Sequence, residues 1–282
     1  MKLKIEIEAC GKINLALDVL RKREDGYHEI KSIMQQVDLC DRLELKEKPN
    51  GVSISCENQL VPLDHTNLIF KAWEKISKLA GTNVGIYVKI DKKIPVAAGL
   101  AGGSTNGAAT IIALNQMWDL GLSLQEMMEI GLQIGADIPF CIMGGTAIAE
   151  GIGEKLTPLK PFKDKAVLIT NPGIQISTAY AYSRLKIRDE RIPIESLIAC
   201  IEKDDLYSLA NGMFNVMEEA IISENPIIGQ IKETMLHNGA IGALMSGSGA
   251  SVFGLYDYPD RLDFTYRKLR DKIQFVFKAQ TI

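Results

Sequence analysis

The sequence predicts an α+β fold. Short stretches in which apolar and polar residues alternate are typical of strands, and they are mixed with stretches of helical periodicity. The two kinds do not follow the strict strand–helix alternation that predicts a doubly wound parallel sheet. With 282 residues, of which 46% are hydrophobic, the chain has enough apolar material for one large domain or two of ordinary size.

The first half of the chain opens with a strand, because Leu3, Ile5 and Ile7 alternate with charged residues. A second apolar run, 13–20, follows a kink expected at Gly11. The same periodicities predict further strands at 43–46, 52–55 and 84–90, and helices at 67–79 and from about 104 to 118.

The rest of the chain repeats this mixture. Ser123 followed by Glu126 predicts a capping box that begins another helix. Pro158 and Pro161, set among charged residues, indicate a domain junction, so we predict domains at 1–157 and 158–282. Later elements are predicted as strands at 166–170, 242–244 and 251–256, and helices near 194–201 and 227–237.

Composition excludes several classes of protein. The net charge of −3 and the pI of about 5.8 provide no basic field for nucleic acid or an anionic membrane. The five cysteines are scattered without a CxxC pair, so we expect neither a disulfide framework nor a thiolate zinc site, and the three histidines show no metal-binding spacing. No signal peptide or membrane span is expected. These features predict a cytoplasmic protein. They do not identify any residue as a metal ligand.

The glycine-rich stretch 95–110 carries the strongest chemical signal. Gly99, Gly102 and Gly103 lie between a predicted strand and a predicted helix, where glycine lets the backbone come close to a ligand. The free N–H groups at the start of a helix suit phosphate, and Ser104 and Thr105 add hydroxyl groups. The stretch is neither a Walker A loop, which needs a lysine after its last glycine, nor a Rossmann fingerprint. A tight turn without a ligand stays the alternative at this point.

Several segments, in the same order along the chain, carry a family resemblance. They are GKINL at 11–15, DGYHEI at 25–30 running into QVDLCD at 36–41, PVAAGLAGGSTNGAAT at 95–110, GADIPF at 135–140 and GSGAS at 247–251. Together they resemble the GHMP kinases, the family named for galactose, homoserine, mevalonate and phosphomevalonate. The first, second and fourth segments are similar to one member, which acts in the non-mevalonate route to isoprenoids. Its acceptor joins cytidine diphosphate to a methylerythritol group.

The resemblance implies a fold and a nucleotide site. The fold would have a ribosomal-protein-S5-like N-terminal domain and a ferredoxin-like C-terminal domain. The activity would be transfer of a phosphoryl group from ATP, used as its Mg²⁺ complex, to a hydroxyl group of a small molecule. We expect a monomer or homodimer. The residues implied to bind ATP are Pro95, Ala97, Ala98, Gly99, Leu100, Ala101, Gly102, Gly103, Ser104 and Thr105, with Asn67, Leu68 and Lys92 near its nucleoside.

Two charged residues would carry the chemistry. Asp137 would orient the acceptor hydroxyl or accept its proton, and Lys12 would stabilise negative charge on the γ-phosphoryl group. Considered alone, Asp137 is typical of an aspartate in a turn. Lys12, on a predicted strand, is typical of a lysine whose side chain faces the solvent. The acceptor itself would be bound by Asn14, Tyr27, His28, Asp137, Thr178 and Tyr182.

In this assignment Tyr27 stacks on the cytosine and His28 bonds its polar edge. Tyr182 would form the second aromatic wall, with Tyr180 as the alternative. Two other hypotheses remain: a family kinase with another acceptor, such as homoserine or mevalonate, and a nucleotide-binding protein without catalysis. The presence of both Lys12 and Asp137 argues against the latter.

Overall fold

The computed structural model describes residues 3–187 and 193–282. The strands are β1 (Lys4–Lys22), β2 (His28–Lys48), β3 (Val52–Cys56), β4 (Gly85–Asp91), β5 (Thr146–Gly151), β6 (Lys155–Pro158), β7 (Ala166–Asn171), β8 (Phe214–Asn215), β9 (Gly242–Met245), β10 (Val252–Tyr256) and β11 (Phe275–Gln280). The helices are α1 (Leu68–Ala80), α2 (Gly102–Met117), α3 (Leu124–Leu132), α4 (Ile138–Met143), α5 (Thr178–Arg184), α6 (Ile194–Glu202), α7 (Leu206–Gly212), α8 (Glu218–Glu224), α9 (Pro226–His237) and α10 (Pro259–Leu269). This mixture confirms the α+β prediction.

The chain divides into two compact units. The first unit comprises the chain up to Gly11, Leu39–Val96 and Ala101–Gly144, and the second comprises Lys12–Asp38, Ala97–Leu100 and Gly145–Ile282. These units are defined by internal contacts, and the domain boundary at residues 157 and 158 stays a prediction.

In the first unit, helices cover one face of a sheet. Strand β4 pairs in parallel with β3 and antiparallel with residues 42–48 of β2, which lies next to β1. Inward residues of these strands, such as Leu45 and Val88, are fully buried against Ile76 of α1 and Ile111 of α2. Burial of this apolar face holds the start of α2, which follows the glycine-rich stretch, against the sheet.

In the second unit, an antiparallel sheet has the strand order β11-β7-β10-β9. Helices α9 and α10 pack on it, and the core includes Leu168, Met235 and Val252. Residues 30–35 of β2 pair with β5 in the same unit, and β1 pairs with β8 at Ala16 and Leu17. The last residues of the chain also lie here, where Ile282 donates a backbone hydrogen bond to Gln36.

Two predictions about the first strands are wrong in detail. The chain does not break at Gly11, because β1 runs without interruption from Lys4 to Lys22. Strand β2 begins at His28, well before the predicted strand at 43–46. Gly11 is buried inside a sheet, where pairing with a neighbouring strand supplies the hydrogen bonds that keep glycine extended.

A disulfide joins Cys10 of β1 to Cys40 of β2. The expectation that the cysteines form no disulfide is therefore wrong for this pair. The two residues are 30 positions apart in the sequence and meet because β1 and β2 are neighbours in the sheet. The spacing of the two cysteines along the chain does not show that their strands are neighbours.

Local signals predicted the helix ends well. Asn67 caps α1, and its side chain accepts a hydrogen bond from the backbone N–H of Ile69. The predicted capping box is confirmed, since Ser123 and Glu126 bond each other's backbone at the start of α3. In the described part of the chain, no helix combines the length and the apolar character needed to cross a bilayer.

Candidate active site

Helix α2 presents its N-terminus at the end of the glycine-rich stretch. Ala101, with φ of 58°, forms its N-cap without a side-chain hydrogen bond. The first helical bond inside α2 runs from the Thr105 N–H to the Ala101 carbonyl, at 2.9 Å. The N–H groups of the residues between them therefore have no acceptor within the helix. With the positive end of the helix dipole, these groups suit a phosphate.

The predicted nucleotide loop, residues 95–105, contacts the second glycine-rich turn, which comprises residues 246–249. Gly99 has φ of 75°, and a Cβ built on it would lie 2.0 Å from the Ser246 carbonyl oxygen. In return, the Ser246 hydroxyl donates to the Gly99 carbonyl, at 2.9 Å. The sequence marked both glycine-rich segments without indicating that they touch. Glycine is required at position 99 because any side chain would separate them.

Backbone bonds fix the rest of the predicted loop. The Leu100 carbonyl accepts from the Lys12 N–H, at 3.1 Å, and the Ala98 carbonyl accepts from the Ser251 N–H, at 3.3 Å. Pro95 is half-buried at the start of this loop, and Ala97 is exposed with φ of 53°. The loop therefore has a defined course before α2 begins.

The two hydroxyl residues of the loop have different environments. The Thr105 hydroxyl is buried and donates to the Cys10 carbonyl, at 2.8 Å, which ties α2 to β1. Ser104 is half-buried and Gly103 is exposed. Ser104 is therefore the more accessible hydroxyl for a ligand.

A buried carboxylate lies beneath the start of α2. Asp41 is fully buried and accepts from the backbone N–H groups of Lys93 and Ile94, each at 2.8 Å. Its second oxygen accepts from the Lys92 ammonium and from the Asn106 amide. Burial lowers the pKa of Lys92, and the charge of Asp41 opposes that change. Sequence reasoning missed Asp41.

The predicted nucleoside residues divide into two environments. Leu68 packs beside the glycines of α2, since a Cβ built on Gly107 would lie 3.2 Å from the Cβ of Leu68. Asn67 is buried, and its side chain is held by the α1 cap and by the Pro62 carbonyl. The Lys92 ammonium lies 2.8 Å from where a Cβ on Gly102 would stand. All three lie in the first unit.

Except for Asp137, the predicted acceptor residues lie in the second unit. The buried Lys12 ammonium donates to the side-chain oxygen of Asn14, at 2.7 Å. The Asn14 amide donates to the Ser32 hydroxyl, at 2.8 Å, and that hydroxyl donates to the Ala16 carbonyl, at 2.6 Å. Sequence reasoning missed Ser32, although a serine at an inward position of an apolar strand is a signal that could have found it.

An aromatic pair lies in the same unit. The rings of His28 and Tyr182 stack with centroids 4.5 Å apart and planes 13° apart. Burial, and to a lesser extent the charge of Lys22, lowers the pKa of His28 below its usual value. Tyr27 is 58% exposed beside it in sequence.

Helix α5 separates the two candidate tyrosines. Tyr182 stacks on His28, whereas the Tyr180 hydroxyl donates to Glu224, at 2.5 Å. The structure thus brings Tyr182, and not Tyr180, against the predicted cytidine residue. Thr178 is exposed at the first position of this helix.

Asp137 belongs to the first unit, with the predicted nucleotide residues. It is half-buried at the N-cap of α4, and its side chain makes no capping hydrogen bond. The carboxylate of Asp137 therefore accepts no capping hydrogen bond from the backbone N–H groups of α4. Its placement there is set by Pro139 in the first turn and by the backbone bond from Cys141 to its carbonyl.

Comparison with known proteins gives a consistent family. Family models match residues 67–145 as GHMP kinases N terminal domain and residues 197–274 as GHMP kinases C terminal. A 4-diphosphocytidyl-2-C-methyl-D-erythritol kinase from Alkaliphilus metalliredigens (strain QYMF) is 45% identical over 94% of this chain and 92% of its own length.

Solved structures agree with the sequence matches. The crystal structure of a 4-(cytidine 5'-diphospho)-2C-methyl-D-erythritol kinase has a TM-score of 0.82 at 28% identity, covering 98% of this chain and 99% of its own. A homoserine kinase from Cytophaga hutchinsonii ATCC 33406 has a TM-score of 0.78 at 19% identity, covering 100% and 95%. At that identity the second likeness concerns the fold alone.

The fold and the matched domains define an ATP-dependent small-molecule kinase of the GHMP type, as the family resemblance of the sequence implied. Within that class, the chain belongs to the family of the 4-diphosphocytidyl-2-C-methyl-D-erythritol kinases. The two-domain GHMP kinase fold expected from the sequence is thereby confirmed.

Proposed function

We propose that this chain transfers the γ-phosphoryl group of ATP to the 2-hydroxyl group of 4-diphosphocytidyl-2-C-methyl-D-erythritol, in the non-mevalonate route to isoprenoid precursors. The observation that carries the choice of acceptor is the stacked pair of His28 and Tyr182, in the same unit as Lys12 and Asn14. Flat aromatic and imidazole rings suit a nucleobase, whereas homoserine and mevalonate contain none. The names of the relatives support the same acceptor.

The reaction needs positioned phosphates, charge neutralisation and an oriented hydroxyl. In our assignment, the start of α2 binds the phosphates of ATP and Lys12 stabilises charge on the γ-phosphoryl group. The acceptor oxygen bonds to the γ-phosphorus while the bond from that phosphorus to the β–γ bridging oxygen breaks, and ADP leaves. Asp137 accepts the proton of the hydroxyl group or orients it.

We expect Mg²⁺ to accompany ATP, and oxygen donors of the kind that suit this ion are present in the first unit. The Ser104 hydroxyl and the Asp137 carboxylate are hard oxygen donors and are both half-buried in the first unit, and Mg²⁺ prefers one or two such ligands completed by phosphates and water. When bound, the ion would offset charge on the β- and γ-phosphate oxygens. We further propose that the protein is cytoplasmic and is a monomer or homodimer. We also propose that it has no nucleic-acid partner, and the net charge of −3 supports this last point.

A coupled ADP-release assay with Mg-ATP and 4-diphosphocytidyl-2-C-methyl-D-erythritol tests the catalytic assignment. We expect Asp137→Asn to lower kcat by about 10²–10⁴-fold, the range of general acid–base catalysis. Asp119→Asn is the control, since Asp119 is another aspartate of the first unit, just after the end of α2, to which no role in the site is assigned. Equal kcat values for both variants would remove Asp137 from the chemistry.

The same assay tests the acceptor. His28→Ala should raise the KM for the cytidyl acceptor and leave the KM for ATP unchanged, with His65→Ala as control. Turnover with homoserine or mevalonate, and none with the cytidyl acceptor, would keep the kinase and reject its acceptor. A folded wild type that binds ATP and phosphorylates none of them would favour the non-catalytic alternative.

A further inference from the structure

We infer that Ser32 is a positioning residue, which fixes the orientation of the Asn14 amide and through it the direction of the Lys12 ammonium. The inference rests on the proposed function in one respect, namely that Lys12 acts on the transferred phosphoryl group. The three side chains form one hydrogen-bonded line, called here the Ser32 relay, that ends at the Ala16 carbonyl.

The direction of the Ser32 relay follows from what each group can donate. The Ala16 carbonyl can only accept, so the single proton of the Ser32 hydroxyl lies on that bond of 2.6 Å. The Ser32 oxygen must then accept from its other neighbour, Asn14. The NH₂ end of the Asn14 amide, which is the end that donates, is therefore turned toward Ser32.

The other end of the amide obeys the same rule independently. An ammonium group has three donors and no acceptor, so Lys12 requires the oxygen of Asn14, which lies 2.7 Å from its Nζ. Both ends thus demand the same orientation, and a flipped amide would place two donors against each other at Lys12. One of the three donors of Lys12 is used in this bond.

Burial makes the orientation matter. Lys12 is 5% exposed, Asn14 is 2% exposed and Ser32 is fully buried. Water cannot readily replace a lost partner at such positions, so an unpaired donor or acceptor there is costly. Loss of the Ser32 oxygen would leave the amide held at its Lys12 end only, with its NH₂ group unpaired, so the acceptor of the ammonium would be less firmly fixed.

The second glycine-rich turn closes the relay from the other side. Gly247 has φ of 54°, and a Cβ on it would stand 3.5 Å from the Asn14 oxygen and 3.1 Å from the Gly99 carbonyl. The buried Asn215 amide donates to the Gly247 carbonyl, at 2.8 Å. Asn14 is therefore confined between this turn and Ser32.

A double-mutant cycle tests the inference on the full chain. Ser32→Ala should lower kcat by about 10- to 100-fold, the loss expected when a reacting group is misplaced, with the KM for ATP unchanged within about twofold. Because Ser32 acts through Asn14, adding Ser32→Ala to Asn14→Ala should cause no further loss of kcat. A purely structural role would instead lower kcat by the same factor in both backgrounds, and that result would overturn the inference.

The matched control is Ser77→Ala. Ser77 is also buried and also donates its hydroxyl proton to a backbone carbonyl, that of Glu74, but it lies in α1 outside the relay. It should retain wild-type kcat. A loss equal to that of Ser32→Ala would attribute the effect to the removal of any buried hydroxyl and would reject the relay.

A measurement without substrate separates this inference from the proposed function. The side-chain NH₂ resonances of Asn14, assigned by their absence in Asn14→Ala, should exchange slowly with water in the wild type and faster in Ser32→Ala. This result together with no turnover of the cytidyl acceptor would reject the acceptor and retain the relay. Equal, fast exchange in both proteins would overturn the relay, whatever the enzyme phosphorylates.

Discussion

Gly99 occupies a position where a side chain has neither a relaxed backbone nor free space. Its φ is 75°, and a Cβ would lie 2.0 Å from the Ser246 carbonyl oxygen. We expect Gly99→Ala to lower the free energy of unfolding by about 2–4 kcal/mol, as backbone strain adds to displacement of the second turn. It should also raise the KM for ATP. Urea unfolding and initial rates measure the two effects.

The control for that prediction is Gly121→Ala. Gly121 has a similar φ of 66°, but a Cβ there would meet nothing within 4 Å. The free energy of unfolding of this control should fall by about 1 kcal/mol, the cost of the backbone strain alone. If both variants lose the same free energy, the contact between the two glycine-rich segments contributes nothing to stability.

The stack of His28 on Tyr182 has a consequence for pH dependence. Burial lowers the pKa of His28 below 6.5, so the unfolded chain binds this proton more tightly than the folded one. The contribution of His28 to stability is therefore full above pH 6.5 and is lost as pH falls through the folded pKa. Removing the covering ring in Tyr182→Ala should raise the pKa of His28 toward 6.5.

An NMR titration of the imidazole groups measures this shift. The chain has three histidines, so the His28 resonance can be assigned by its absence in His28→Ala, and those of His65 and His237 serve as internal references. Tyr180→Ala is the matched control because Tyr180 bonds Glu224 instead of stacking on His28. An equal pKa of His28 in the wild type and in Tyr182→Ala would show that the stack does not bury the imidazole.

At this scale the sequence identified residues that belong to motifs and missed those that support them. Lys12, Asn14 and His28 stand in segments with a family resemblance. Ser32 lies outside these segments, and Asp41 ends one of them without a role that the sequence assigns. The importance of both depends on partners such as Ala16 and Asn106 that are distant in sequence. A single sequence does not contain those distances, so the supporting residues could not be predicted.

Among the elements, Asp41 connects strand β2, the turn after β4 and helix α2. Its carboxylate accepts four hydrogen bonds, from Lys92, Lys93, Ile94 and Asn106. We expect Asp41→Asn to lower the free energy of unfolding by about 3–5 kcal/mol, because the Lys92 ammonium would remain buried without its counter-charge. Urea unfolding followed by tryptophan fluorescence is the measurement.

The control for Asp41 is Asp91→Asn. Asp91 is an exposed residue at the end of β4, opposite Arg42 in the sheet. Its replacement should change the free energy of unfolding by no more than about 0.5 kcal/mol, as is usual at the surface. Similar losses in both variants would mean that the four bonds of Asp41 are not the reason for the effect.

Elements with local signals were predictable, and elements defined by distant partners were less so. The cap of α1 at Asn67 and the capping box at Ser123 and Glu126 follow from residues two or three positions apart. Strands β1 and β2 were underestimated because pairing with other strands, and not local pattern, extends them. The disulfide between Cys10 and Cys40 escaped prediction for the same reason.

At the scale of the whole molecule, the course of the chain predicts how the protein unfolds. Residues 4–11 of β1 lie in the first unit and residues 12–22 in the second, and β2 crosses in the opposite sense at residues 38 and 39. Each unit therefore depends on strands that continue into the other. We expect one cooperative transition in which neither unit unfolds alone.

Two probes report on the units separately. Trp73 and Trp118 are the two tryptophans of the chain, and both lie in the first unit. The amide resonances of β7, a central strand of the four-stranded sheet, report on the second. Their urea midpoints should coincide in the wild type.

Asp41→Asn, whose lost bonds all lie in the first unit, should move both midpoints by the same amount. A shift of the tryptophan midpoint that leaves β7 unchanged would mean that shared strands do not couple the units. Unfolding would then have to be described by two free energies, one for each unit.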